Sequence, residues 1–211
     1  MKKDLDYKSH WNNVYQTKDD NQLGWYEDNP ETTMQLVAKC HLKKDTTILN
    51  IGAGTTTLID ALLDEGYTNI IANDLSQVAL EKLQDRIQKK YNHTINCIAD
   101  DLTNPKELNY LQNVDLWIDR AVLHFFLKVE EQDAYFNLIQ KIVSKDGYVF
   151  IAVFSLDGAE KCCGLELQHY NIEMLQKRLG KEFKLVDSFN HTYINPFGGE
   201  RPYVYTLFKK E

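Results

Sequence analysis

The stretch from Thr46 to Ser76, TTILNIGAGTTTLIDALLDEGYTNIIANDLS, constrains the fold more than any other part of the chain. A short apolar run with β-branched residues, TTILNI, ends at a Gly-x-Gly turn, the pattern of a buried strand before a sharp change of direction. Leu58, Ala61 and Leu62 then fall on one helical face, and Gly66 supplies a helix stop. A second apolar run, NIIAND, ends on an acidic residue. Strand, helix and strand in this order form a crossover unit, so the two strands are expected to lie parallel in one sheet.

The alternation continues downstream. Ser76 stands where a cap is needed for a helix on which Ala79, Leu83 and Ile87 recur every four residues. TINCIAD, VDLWIDRAV and GYVFIAVFS read as the third, fourth and fifth strands, the last being the most apolar and expected to be central. The helix VEEQDAYFNLIQKIVS precedes it, with Phe136, Ile139 and Val143 on one side. Asn171 to Leu179 reads as a short capped helix stopped by Gly180. Finally, EFKLVDSFNHTYI and YVYTLFKK are joined by NPFGGERP, a Gly/Pro-rich turn, and form a hairpin. The expected fold is α/β: a Rossmann-like, doubly wound, mostly parallel sheet with an antiparallel C-terminal hairpin at its edge. The 211 residues include only four prolines and no linker or repeat. One domain over 1–211 is therefore expected, with an N-terminal helical lid segment over 1–40 and an α/β core over 46–211.

Composition excludes several classes of partner. A net charge of -7 disfavours nucleic acid and anionic membranes, because phosphate binding needs a cationic surface. The N-terminus MKKDLDYKSHWNN has no apolar stretch after its lysines, and the longest apolar run, YVFIAVFSL, is about half a membrane span. Cys40, Cys97, Cys162 and Cys163 form no C-x-x-C pair, and His10, His41, His93, His169 and His191 have no metal-ligand spacing. The chain reads as a reduced, cytoplasmic protein without a metal. Cys162 and Cys163, in a loop after the fifth strand, read as inert rather than as acceptor contacts.

Gly52 and Gly54 let the backbone turn sharply and approach a ligand closely. Asp74 lies twenty residues further on, at the end of the next strand, where a carboxylate can accept both ribose hydroxyls of a nucleoside. A dinucleotide would want a third glycine for its pyrophosphate, and that position falls within Thr55-Thr56-Thr57.

These residues resemble the class I S-adenosylmethionine-dependent methyltransferases over nearly the whole chain. ILNIGAGTTTL resembles the family's glycine motif, whose strand usually ends in Asp or Glu; Asn50 stands there, beside Gly52, Ala53 and Gly54. NDLS resembles the ribose-binding segment, which implies Asp74 for the ribose and Leu75 along the adenine. IADDLT resembles the segment that contacts the adenine amino group, implying Asp101, or Asp100 one residue earlier, with Leu102 behind it. VDLWIDRAVLHFF resembles the fourth-strand motif of a bacterial subset carrying DRAVxHF, which also opens with aromatics spaced as Trp11, Tyr15 and Trp25 and ends in a similar hairpin. The resemblance implies S-adenosylmethionine as cofactor and S-adenosylhomocysteine as product.

Methyl transfer from a sulfonium needs donor and acceptor held in line with water excluded. The N-terminal segment is the candidate lid. Trp11, Tyr15, Trp25 and Tyr26 either cover the cofactor, where aromatic faces favour a cation, or staple an N-terminal helix to the sheet. Asp119 is a candidate for the methionine moiety or the acceptor. Arg120 either holds an anionic acceptor or pairs with Asp119 or another carboxylate. His124 is either a general base or a hydrogen-bonded histidine at a helix start. The expected acceptor is a small molecule, with protein lysine as the alternative. A nicotinamide-dependent oxidoreductase and a nucleoside-binding protein without transfer activity are the rival readings, the second kept open by Asn50.

Overall fold

A computed structural model describes residues 6–211. Six helices are α1 (Tyr7–Thr17), α2 (Glu31–Lys39), α3 (Leu58–Asp64), α4 (Gln77–Tyr91), α5 (Val129–Ile142) and α6 (Ile172–Leu179). The strands are β1 (Ile48–Ile51), β2 (Ile70–Asp74), β3 (Asn96–Ala99), β4 (Val114–Arg120), β5 (Val143–Phe154), β6 (Lys161–Cys162), β7 (Leu165–Glu166), β8 (Phe183–Ile194) and β9 (Glu200–Lys210). Seven of them form one sheet in the order β3-β2-β1-β4-β5-β9-β8, while β6 and β7 pair as a small separate ribbon. β1 to β5 run parallel; β9 is antiparallel to both β5 and β8. The expected α/β sheet with its antiparallel hairpin is the fold observed, and β5 is internal as its apolar sequence requires.

Strand periodicity divides the core into two layers. Ile48, Leu116, Ile118 and Phe150 turn to one face, where they pack with Leu58 and Leu62 of α3, Leu80, Leu83 and Ile87 of α4, and Leu36 and Val37 of α2. Leu49, Ile51, Trp117, Val149 and Ile151 turn to the other, against Tyr135, Phe136 and Ile139 of α5 and Leu175 and Leu179 of α6. Local signals hold as well. The Ser76 side chain caps α4 by accepting from Ala79 N at 3.2 Å, Asn171 caps α6, and Gly180 ends it at φ +88.

Two boundaries differ from expectation. The helix expected through Ser144 stops at Ile142, and β5 starts at once with Val143 extended, so the β-branched Val143 enters the sheet instead of extending the helix. The hairpin turn is shorter than NPFGGERP: β9 already begins at Glu200, and Arg201 and Pro202 pair with Tyr193 and Thr192. Pro202 lies one residue past the last β5 rung, Phe154 with Tyr203, and its carbonyl points to that side to accept from Ser155 N, so its missing N–H takes no bond from the pairing with β8.

Candidate active site

The strand order reverses between β1 and β4, and that is where the sheet's carboxyl ends gather the candidate residues. Gly52 and Gly54 have φ of +56 and +52. A Cβ on Gly52 would lie 2.1 Å from Val122 Cγ2, and one on Gly54 would lie 2.2 Å from the Tyr15 hydroxyl. Both glycines are therefore required twice over, by conformation and by space. Gly54 N donates to Asp74 Oδ2 at 2.8 Å, and Ser76 N donates to Oδ1 at 2.7 Å. The turn and the carboxylate are thus direct neighbours. Burial raises the Asp74 carboxyl to about 6 against the pull of those amide bonds.

A cavity opens beside them. Gly52, Asp74, Leu75, Asp101 and Leu102 line it together with the aromatics Trp11, Tyr15 and Trp25 and with Arg120 and His124. Trp11 meets Trp25 edge-on at 5.6 Å and Phe125 at 5.2 Å. The two adjacent aspartates after β3 behave differently. Asp100 accepts from the backbone of Asp101, Lys106 and Leu108 and shapes the following loop. Asp101 binds Thr103 through Oδ1 only, and no bond to its Oδ2 is found among the described residues. Asp101 is the one able to offer an oxygen to a ligand.

Asp119, Arg120 and His124 come together at the end of β4 with unequal freedom. Asp119 is 0% exposed and faces the α5 side, opposite in parity to Ile118 and Arg120. It accepts from Val122 N at 2.9 Å, from Leu123 N at 3.0 Å and from the Tyr135 hydroxyl at 2.7 Å. It does not line the cavity beside Asp74. Burial raises it to about 6, against the bonds from Tyr135 and the two amides. Arg120 pairs with a carboxylate, as one reading expected, and the partner is Glu27, at 2.9 Å, not Asp119. It also donates to Trp25 O at 3.0 Å and packs over the Tyr193 ring at 4.8 Å. His124 is fully buried between Phe125 and Phe154, and neither ring nitrogen has a hydrogen-bond partner among the described residues. Burial first, then the charge of Arg120, depresses it to about 3. It is a neutral ring of low basicity.

A second cavity shares Trp25, Gly52 and Arg120 with the first and adds Asn50, Ala53, Tyr26, Glu27 and Thr33. Glu27, Thr33 and Tyr135 were not legible as site residues. Each acts through a partner distant in sequence, and a lone Glu or Thr in a polar segment carries no local signal. Cys162, read as inert, stands in the wall of the first cavity.

Residues 42–195 match the family described as Methyltransferase domain. The chain is 21% identical over 169 residues to EEF1A lysine methyltransferase 2 of Mus musculus, covering 74% of this chain and 68% of that one. Magnesium protoporphyrin IX methyltransferase from Synechocystis PCC 6803, solved with bound SAM, superposes with a TM-score of 0.70 at 15% identity over 100% of both chains. The 1,6-didemethyltoxoflavin-N1-methyltransferase of Burkholderia thailandensis, solved with S-adenosylhomocysteine, does so with 0.68 at 18% identity, over 97% of this chain and 85% of that one. The glycine turn that a Cβ would fill, the Asp74 carboxylate and the unpaired Asp101 oxygen fit a nucleoside, and the Synechocystis enzyme was solved with a nucleoside cofactor, SAM. With nearly three-quarters of its length matched and the fold shared throughout, the chain belongs to the methyltransferase-domain family.

Proposed function

We propose that the protein transfers a methyl group from S-adenosylmethionine to a small-molecule acceptor. The observation that carries this reading is the contact between the glycine turn and Asp74, 2.8 Å apart, beside a cavity with an aromatic lining. In this reading Asp74 holds the ribose, Leu75 and Leu102 flank the adenine, and Asp101 accepts from its amino group. When bound, the cofactor supplies a methyl carbon on a sulfonium, open to in-line displacement by an acceptor lone pair. The chain's contribution is to hold, orient and keep dry. Good positioning alone is worth up to roughly 7–11 kcal/mol. Trp11, Tyr15 and Trp25 exclude water and present aromatic faces to a cation. Asp119 acts as a positioning residue, holding the turn at Val122 and Leu123 that forms the inner wall.

The acceptor arrives with its lone pair free, because the buried neutral His124 is a poor proton acceptor and Asp119 is engaged on both oxygens. A small acceptor is favoured by the aromatic lining, which a polypeptide would have to displace. Methylation of protein lysine is the second reading, supported by the mouse relative. The test is methyl-labelled S-adenosylmethionine added with the purified protein to a cell extract, then separation by size. Label in the low-mass fraction is expected. Label on lysine in the protein fraction would overturn the small-molecule reading, and label in neither would count against transfer itself.

A further inference from the structure

The small ribbon after β5 carries two neighbouring thiols that methyl transfer leaves unused. β6 and β7 pair Lys161 with Glu166 and Cys162 with Leu165, so Cys163 and Gly164 make the turn between them. Both have positive φ, +51 and +79, the signature of a type I′ hairpin. Gly164 suits that turn. Cys163 does not, because the first central position favours Asn, Asp or Gly, and other side chains in the left-handed region are strained. Strain that a native chain keeps points towards a function for the residue that bears it.

The pair stands beside the site. Cys162 lines the first cavity together with Tyr15, Gly52 and Asp74. Cys163 lies near enough to Tyr15 for its charge to act on that hydroxyl, which itself rests against Gly54. The two thiols have unequal roles. A hydrogen bond from Cys162 draws the Cys163 thiol below its usual range; burial opposes this and the charge of Lys18 adds to it. The same bond, with burial, raises the Cys162 thiol. Cys163 is therefore the nucleophile and Cys162 its proton-bearing neighbour. The remaining cysteines are passive: burial pushes Cys40 up to about 12 and raises Cys97, on the edge strand β3.

We propose that Cys162 and Cys163 are a site of reversible oxidation by hydroperoxides, and that the disulfide they form weakens ligand binding in the adjoining cavity. The Cys163 thiolate attacks one peroxide oxygen. The O–O bond breaks, the other oxygen takes a proton and leaves as water or an alcohol, and Cys163 becomes a sulfenic acid. Cys162 then gives up its proton and attacks that sulfur. The S–S bond forms, the S–O bond breaks, and the hydroxyl leaves with that proton as water. Two electrons pass from the two sulfurs to the peroxide. Neighbouring Cα atoms are about 3.8 Å apart, closer than the roughly 4.4 Å at which disulfides usually begin, so closure resets the turn and shifts Cys162 in the cavity wall. Such a bond is readily returned to thiols by a thiol reductant. The oxidation stands on the pair itself; its effect on affinity rests on the S-adenosylmethionine reading.

The test treats the full chain with hydrogen peroxide and maps its cysteines by mass spectrometry. The expected first product is the loss of two hydrogens from the peptide carrying Cys162 and Cys163, reversed by dithiothreitol. In titration calorimetry the oxidised chain is expected to bind S-adenosylhomocysteine about fivefold or more weakly, and dithiothreitol to restore the affinity. Cys163→Asn installs a residue that the turn prefers, so the fold is kept. This variant is expected to bind S-adenosylhomocysteine as the wild type does and to keep that affinity through peroxide treatment. Oxidation that starts at Cys40 or Cys97, a Cys162–Cys163 disulfide that leaves affinity unchanged, or peroxide sensitivity that survives in Cys163→Asn would each overturn the proposal. A wild-type chain that binds no S-adenosylhomocysteine before treatment would remove the cofactor reading, and the effect on affinity with it, while the mass map still decides the oxidation.

Discussion

Asp74 gives one oxygen to Gly54 N and the other to Ser76 N, and each retains a lone pair for a sugar hydroxyl. The residue therefore shapes the turn and grips the ligand at once. Asp74→Ala is expected to weaken S-adenosylhomocysteine binding by about 1.5–3 kcal/mol, the range for hydrogen bonds to a charged group; an unchanged dissociation constant in calorimetry contradicts the assignment. His124 makes a separate prediction. Its folded value of about 3 lies below its ordinary 6.5. Between those values the unfolded chain holds a proton that the folded one refuses, so this residue makes stability fall as pH drops through that window. Asp74 and Asp119, raised to about 6 from 3.8, act in the opposite sense: the folded state holds extra protons and gains stability as pH falls through 6 towards 3.8. His124→Phe keeps a ring among Phe125, Phe154 and Tyr203 and removes the acid-sensitive term. The gap in melting temperature between variant and wild type is expected to widen as pH is lowered from 7 to 4. A constant gap would mean that the ring is not buried as a neutral group.

At the scale of elements, the segment from α1 to Asp28 is strapped across the sheet's carboxyl edge by contacts that share few local signals. Arg120 holds Trp25 O and Glu27, the Tyr193 hydroxyl donates to Tyr26 O, the Thr57 hydroxyl donates to Glu27 O at 2.8 Å, and the Ser76 hydroxyl donates to Asn12 Oδ1 at 2.8 Å. Arg120 is the centre of this strap. Removing one member of a buried pair leaves the other charge stranded, at a cost of about 3–5 kcal/mol, whereas removing both costs much less. Arg120→Met is thus expected to be far less stable than Glu27→Gln/Arg120→Met in denaturant unfolding. Hydrogen exchange should speed up in residues 7–29 of the single variant before it does so in β1 and β4. Additive losses in the double variant would show that the two residues do not act as a pair. The elements themselves were readable because apolar period, caps and glycines are local. The strap was not, since Arg120 and Glu27 meet only after β4 and the N-terminal segment have been brought together by the fold. The strand parity that sends Asp119 to Tyr135 and Arg120 to Glu27 was implicit in the sequence. Which face carried the cavity depended on where α2 and α5 packed.

For the whole molecule, the glycine turn, Asp74 and Asp101 were legible, because a strand–turn–helix fixes where its own residues go. The roles of Asp119 and His124 were not, because they depend on what surrounds them. A carboxylate at a strand end looks alike in sequence whether it faces a ligand or, as here, two amides and the Tyr135 hydroxyl. The same reasoning sets apart the rival nucleotide readings. A ligand that binds only the folded chain stabilises it by RT ln(1 + [L]/Kd), about 2.7 kcal/mol at a hundredfold excess over Kd. For a chain of this length each kcal/mol moves the midpoint by about 2–4 °C. S-adenosylhomocysteine at that excess is expected to raise the melting temperature by about 5–11 °C. NAD should leave it unmoved, because Thr55, Thr56 and Thr57 follow Gly54 where a pyrophosphate would need close backbone approach. Stabilisation by NAD and none by S-adenosylhomocysteine would mean that the turn beside Asp74 was built for a different nucleotide.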